Sequence, residues 1–89
     1  MTVVHLDAML REFAPDGSLR SDAPTVAALL DELEGKYPRL RSKLRDETGA
    51  IRKFVRVFVD GEDVSRSPGP AASLAGAQTV DILHSIAGG

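Results

Sequence analysis

The chain has 89 residues, 43% of them hydrophobic, and a formal net charge of -2, which bounds it to one small globular domain that buries roughly 60–65% of its unfolded surface. With no cysteine and only His5 and His84, a disulfide framework, a thiolate nucleophile and a cysteine metal site are excluded, and an all-histidine site is not expected. No apolar run approaches the ~20 residues that span a bilayer, and the start MTVVHLDAML has no basic segment before its apolar stretch, so neither an anchor nor a signal peptide is expected and the cytoplasm is the default compartment.

In chain order, Val4 and Leu6 alternate with His5 and Asp7, the pattern of a strand with one buried face. PDG at residues 15–17 is turn chemistry, and SLRSD can return as a second strand, which predicts an N-terminal hairpin. The period then changes. Val26, Leu29, Leu30, Leu33 and Tyr37 recur at helical spacing, with Thr25 placed to cap the helix and Asp31, Glu32 and Glu34 turned outward. Gly35 weakens the last turn and Pro38 ends it, while Leu40 and Leu44 can line a further short turn.

From Ile51 the stretch IRKFVRVFVDGEDV is rich in β-branched and aromatic residues. Val55, Val57 and Val59 share one face of this strand, and Phe54, Arg56 and Phe58 share the other. Asp60-Gly61 turns it into a short EDV strand, the loop SRSPGPAAS follows, and TVDILHSI closes the domain with Val80, Ile82 and His84 opposite Asp81, Leu83 and Ser85. A β-β-α-β-β-β order calls for an α+β domain whose mixed sheet packs one face on the helix. The ubiquitin-like β-grasp satisfies it. In that arrangement the last strand lies within the sheet, so residues 1–86 form the domain and residues 87–89, Ala87, Gly88 and Gly89, are expected as a flexible tail.

The stretches LREF, TVAALLDELEGKYP and VFVDGEDV, and above all the ending SIAGG, resemble the small sulfur carriers of the MoaD/ThiS type over nearly the whole chain. A terminal Gly-Gly means little alone; at the end of a chain of this length and element order it is specific. The resemblance implies a non-enzymatic protein cosubstrate with no cofactor of its own. A partner adenylating enzyme of the ubiquitin-activating type uses ATP to activate the carboxylate of Gly89, and a sulfur donor displaces AMP to leave a thiocarboxylate. Ile86, Ala87 and Gly88 then form the tail that threads the partner's channel. The sulfur acceptor would be an enzyme such as a cysteine synthase or the large subunit of molybdopterin synthase, with cysteine synthesis the favoured destination and molybdopterin the alternative.

The remaining features have plainer readings. Arg39, Arg41, Lys43, Arg45, Arg52 and Lys53 form a basic run, but the chain is acidic overall and no aromatics interleave the run for base stacking, so the reading is a solvated face and no nucleic acid is expected as partner. Phe58 and Leu83 are candidate partner contacts on a sheet face ringed by charge, while Phe54 is open to cover by residues 39–46. His84 stands near the tail where molybdopterin carriers usually have proline, and it either directs the tail or simply replaces that residue. Gly76-Ala77-Gln78 replaces the Asp-Gly-Asp turn common in the family, and Asp7 stands where molybdopterin carriers show an exposed aromatic. Two other classes fit the same fold: a ubiquitin-like modifier that forms isopeptide bonds through Gly89, and a non-catalytic interaction module.

Overall fold

Alternating apolar residues in the longer strand segments give each one face that must leave water, and a single sheet lets them bury it against the same helix. The computed structural model of the chain describes residues 1–15 and 19–84. Among them the strands are β1 (Thr2–Leu6), β2 (Leu19–Ser21), β3 (Val55–Val59), β4 (Glu62–Asp63) and β5 (Thr79–His84). They form one mixed sheet in the order β2-β1-β5-β3-β4. β5 sits in the middle, parallel to β1 with Leu6 beside Ile82, and antiparallel to β3 with Val57 beside Ile82. The ubiquitin-like β-grasp is therefore the fold, with the last strand inside the sheet.

The inner sheet face carries Val4, Leu6, Leu19, Val55, Val57, Val80 and Ile82, all buried. Against it lies the main helix α2 (Val26–Lys36), which turns Val26, Leu29, Leu30 and Leu33 inward. Thr25 caps α2 as its sequence requires, accepting the Ala28 N–H at 3.1 Å. Pro38 opens a 3₁₀ turn (Pro38–Leu40), and α3 (Arg41–Leu44) follows, so that Leu40 and Leu44 close the end of the core. Val59 is only partly buried, at the rim. Burying each large apolar side chain contributes about 1.5–3 kcal/mol, which makes this layer the main source of stability.

Three sequence expectations need correction. The first two strands do pair antiparallel, with Val3 beside Arg20, but the connection between them also holds a short helix, α1 (Ala8–Arg11), capped by Asp7. Its single buried residue, Leu10, gives too little periodicity to be seen in sequence. Residues 16–18 of the expected turn lie outside the described residues. Phe54 precedes β3 instead of extending its outer face, and it lines a surface hollow with Asp46, Ile51, Arg52 and Lys53.

The third correction concerns charge. Glu34 does not face solvent and Arg45 is not part of a solvated run: both are buried, and the other five basic residues of that run are exposed. The Arg45 guanidinium donates through Nε to Glu34 at 2.9 Å and through Nη2 to Glu34 at 2.6 Å and to Asp31 at 2.5 Å. Glu34 holds the guanidinium above its ordinary pKa through these hydrogen bonds, burial opposes the shift, and Asp31 adds to it. Glu34 and Arg45 are 11 residues apart, so the pair clamps the segment after α2 back onto that helix. A helical wheel could not show this, since the wheel sees Glu34 beside charged neighbours and not the chain that later covers it.

Two stability measurements test this packing. Val57, with no exposure at the centre of the sheet, should lose about 2 kcal/mol on Val57→Ala through lost burial and a cavity that only partly collapses; an unchanged urea midpoint would put β3 on the wrong face. Arg45→Met should cost about 3–5 kcal/mol because it strands the buried Glu34 carboxylate, and adding Glu34→Met should recover most of that loss. A double variant as unstable as the single one would show that the clamp is not a charge pair.

Candidate functional site

β5 ends at His84, and five residues follow it in the sequence. The site therefore has two parts, the end of β5 and the outer sheet face beside it. Gly89, together with Ile86, Ala87 and Gly88, lies outside the described residues. What the structure places is the ground from which they start.

The end of β5 is held from three sides. On one side Val55 of β3 pairs with His84. On the other, the Asp7 N–H donates to the Ile82 carbonyl at 3.2 Å, which continues the β1–β5 ladder past Leu6. The Asp7 side chain supplies the third contact, one oxygen accepting the Leu10 N–H at 2.9 Å and the other accepting the His84 N–H at 2.5 Å. Asp7 is thus not an exposed surface residue but a half-buried cap. His84 projects on the same face of β5 as Val80 and Ile82, half-buried, and its Nδ1 is enclosed with no hydrogen-bond partner among the described residues.

The other end of β5 is fastened in a similar way. Asp60 and Gly61 both have positive φ, 48° and 87°, as a two-residue turn between β3 and β4 requires. That conformation aims the Asp60 carboxylate at the start of β5, where it accepts the Gln78 N–H at 3.0 Å and the Thr79 N–H at 2.9 Å. Gly76-Ala77-Gln78 thus receives from Asp60 the acidic acceptor that its own sequence lacks. DG in sequence announces the turn, but nothing local announces this second use.

The register puts Phe58 and Leu83 on the outer face, away from α2. Phe58 lies between Asp81 on β5 and Asp63 on β4, and Leu83 lies opposite Arg56, so the two apolar residues are diagonal neighbours across β3 and β5, on the order of 7–8 Å apart by Cα. Leu83 is 40% exposed and Phe58 is half-buried. Arg56 reaches Asp63 at 3.3 Å. The expected pairing of Phe58 with Leu83 in a charged surround is present on this face, and Phe54 is not part of it.

Part of the basic run packs on the protein's own aromatic rings. Arg39 and Lys43 pack against the ring of Phe13, at 5.1 and 5.0 Å from its centroid, and Lys53 lies 5.2 Å from that of Phe54, where cation–π attraction spends the charge on the protein's own rings. Among the described residues no group of three His, Asp or Glu side chains is placed to hold a metal ion, and no helix is long and apolar enough to cross a membrane.

Comparison with known proteins completes the site. Residues 4–89 match the model of the ThiS family. The chain is 34% identical over 74 residues, 81% of its own length and 80% of theirs, to the sulfur carrier protein CysO of Mycobacterium tuberculosis. Its fold superposes with a TM-score of 0.83 on the crystal structure of M. tuberculosis CysO, at 28% identity over 97% of this chain and 100% of that one. With the carrier in the crystal structure of the Amycolatopsis orientalis BexX/CysO complex the TM-score is 0.85, at 28% identity over the full length of both chains. The chain belongs to the ThiS family, as a sulfur carrier protein with the ubiquitin-like β-grasp fold.

Proposed function

We propose that the sulfur is carried on the terminal carboxylate of Gly89, as a thiocarboxylate, and is spent in cysteine synthesis. The observation that carries this reading is the family match that runs through Gly89, five residues beyond a strand fixed at the centre of the sheet. The chemistry takes two steps. A carboxylate oxygen of Gly89 attacks the α-phosphorus of ATP on a partner adenylating enzyme, and pyrophosphate leaves; a hydrosulfide ion from the sulfur donor then attacks the carbonyl carbon, a C–S bond forms, and AMP leaves. Gly88 and Gly89 offer no side chain to obstruct a narrow channel. The thioacid sulfur is itself the nucleophile delivered to the acceptor, so the chain needs no cysteine and acts as cosubstrate, with ATP bound by its partner.

Cysteine synthesis is favoured over molybdopterin synthesis on two grounds. The matched relatives are CysO carriers, and Asp7 occupies the position of the exposed aromatic residue that marks molybdopterin carriers. A carrier 28% identical to this chain has been solved in complex with BexX, which supports a partner that docks on the folded domain. We assign that docking to the outer face around Phe58 and Leu83.

Two experiments test the proposal. Incubated with an adenylating enzyme of the ubiquitin-activating type, ATP and a sulfide source, the full chain should exchange one oxygen for sulfur, read as the intact mass. A chain lacking Gly89 should not, because its terminus falls about 3.3–3.6 Å short of the reacting position, while its stability should match the parent's. A deletion variant that gains sulfur as readily would overturn the assignment, and lysine-linked adducts surviving denaturation in place of sulfur would favour the modifier. For docking, Leu83→Asp is the cleaner change, since it sets a carboxylate opposite Arg56, whereas Phe58→Asp would crowd one between Asp63 and Asp81. Leu83→Asp should raise the KM for the carrier roughly tenfold and leave folding stability within about 0.5 kcal/mol. An unchanged KM would remove this face from the interface.

A further inference from the structure

Where β1 stops, its parallel ladder to β5 should stop with it. In a parallel pair every second residue of one strand donates its N–H to one residue of the neighbouring strand and accepts at its C=O from the residue two further along. Asp7 makes the first of these bonds, donating to the Ile82 carbonyl at 3.2 Å. It does not make the second: the chain turns away here, and its carbonyl accepts instead from the Arg11 N–H at 3.0 Å, the bond that starts α1. The next donor on β5, the His84 N–H, would then lose its acceptor just as β1 turns away into the helix.

The Asp7 carboxylate stands in for that carbonyl. Oδ2 accepts the His84 N–H at 2.5 Å while Oδ1 accepts the Leu10 N–H at 2.9 Å, so one side chain both caps α1 and extends the ladder by one peptide along β5. A charged acceptor makes both bonds stronger than a neutral one would. We propose that Asp7 is a positioning residue of the carrier: it clasps the final strand residue, His84, and so fixes the point and direction from which the tail that ends at Gly89 departs. This rests on the carrier reading, because only a tail that must reach a reacting atom gains from a fixed root. Each residue freed at that root adds backbone orientations, of which one places the carboxylate correctly. Asp7 touches neither the tail glycines nor any reactant in this role; it acts through His84.

The test is Asp7→Ser. Serine caps a helix almost as well as aspartate, but it offers one neutral oxygen where Asp7 sets a separate carboxylate oxygen on each of Leu10 and His84. In the purified chain, followed by amide hydrogen exchange, the His84 amide should exchange roughly tenfold faster while Leu10 and Arg11 keep the parent's protection. In adenylation assays that follow pyrophosphate release at saturating ATP, with the carrier varied, kcat should fall roughly tenfold and KM should hold. Simple destabilisation cannot mimic that split: the carrier is the substrate, so a partly unfolded sample lowers its effective concentration and raises KM without lowering kcat. Asp7→Asn, whose amide likewise has one acceptor oxygen for the two donors, should give the same two changes and serves should the serine variant fold poorly. Parental exchange at His84, or a kcat equal to the parent's, overturns the clasp while the carrier reading stands. A parent that takes up no sulfur overturns the carrier reading and the positioning role with it.

Discussion

Everything in this domain leans on the parallel pairing of β1 with β5. The two strands lie at opposite ends of the sequence, Val4 beside Val80 and Leu6 beside Ile82, and all four side chains are buried on the face that meets α2. Joining chain ends costs loop entropy that only a large buried surface repays. Here the surface is repaid twice, since β5 is flanked by β3 as well, and Val80–Ile82 are paired on both edges. Centrality is what makes the strand a fixed platform for a segment that must itself reach out to a partner.

Polar contacts complete what packing begins, and they do so at the joints. Asp60 holds the start of β5 and Asp7 its end, each by lending a carboxylate to backbone N–H groups that the ladder would otherwise leave to solvent. Ser65 works in the same manner beside β4, accepting the Val57 N–H at 2.6 Å and donating to Asp63 at 2.6 Å. That hydroxyl is the main reason the exposed Asp63 carboxyl is held below its usual range. The Glu34–Arg45 clamp differs in kind: it is buried, and it joins two elements of the helical layer. An ion pair in that place contributes registry as much as energy, because its partners tolerate one geometry only.

The division between the two layers is also a division of labour. The inner face is aliphatic and closed by α2 and the Leu40 to Leu44 segment, and it carries the stability. The outer face sets Phe58 and Leu83 among Asp63, Asp81 and Arg56, with Leu83 exposed, and it is the face to which we assign docking. Apolar residues at the centre with charges around them allow a partner to gain by desolvating the first and to be selected by the second.

Much of this was legible in the sequence because it depends on period and local capping. Thr25 before VAALLDELEGK determines α2, the alternation VRVFV determines β3 and its buried valines, TVDILH determines β5, and the ending SIAGG, in a chain of this length, points to the family. These are properties of residues within a few positions of one another, and they survive any change in what packs on top. The tertiary structure alone decided the fate of individual charges. Asp7 and His84 are 77 residues apart, Asp60 and Gln78 are 18, Glu34 and Arg45 are 11; as single letters each reads as surface. Whether a carboxylate meets water, a guanidinium or a backbone N–H is set by the element that folds over it, and desolvation makes those outcomes differ by several kcal/mol. Short α1 escaped for a related reason: with four residues and one buried leucine, it exists because Asp7 caps it and the core receives Leu10, not because its sequence repeats.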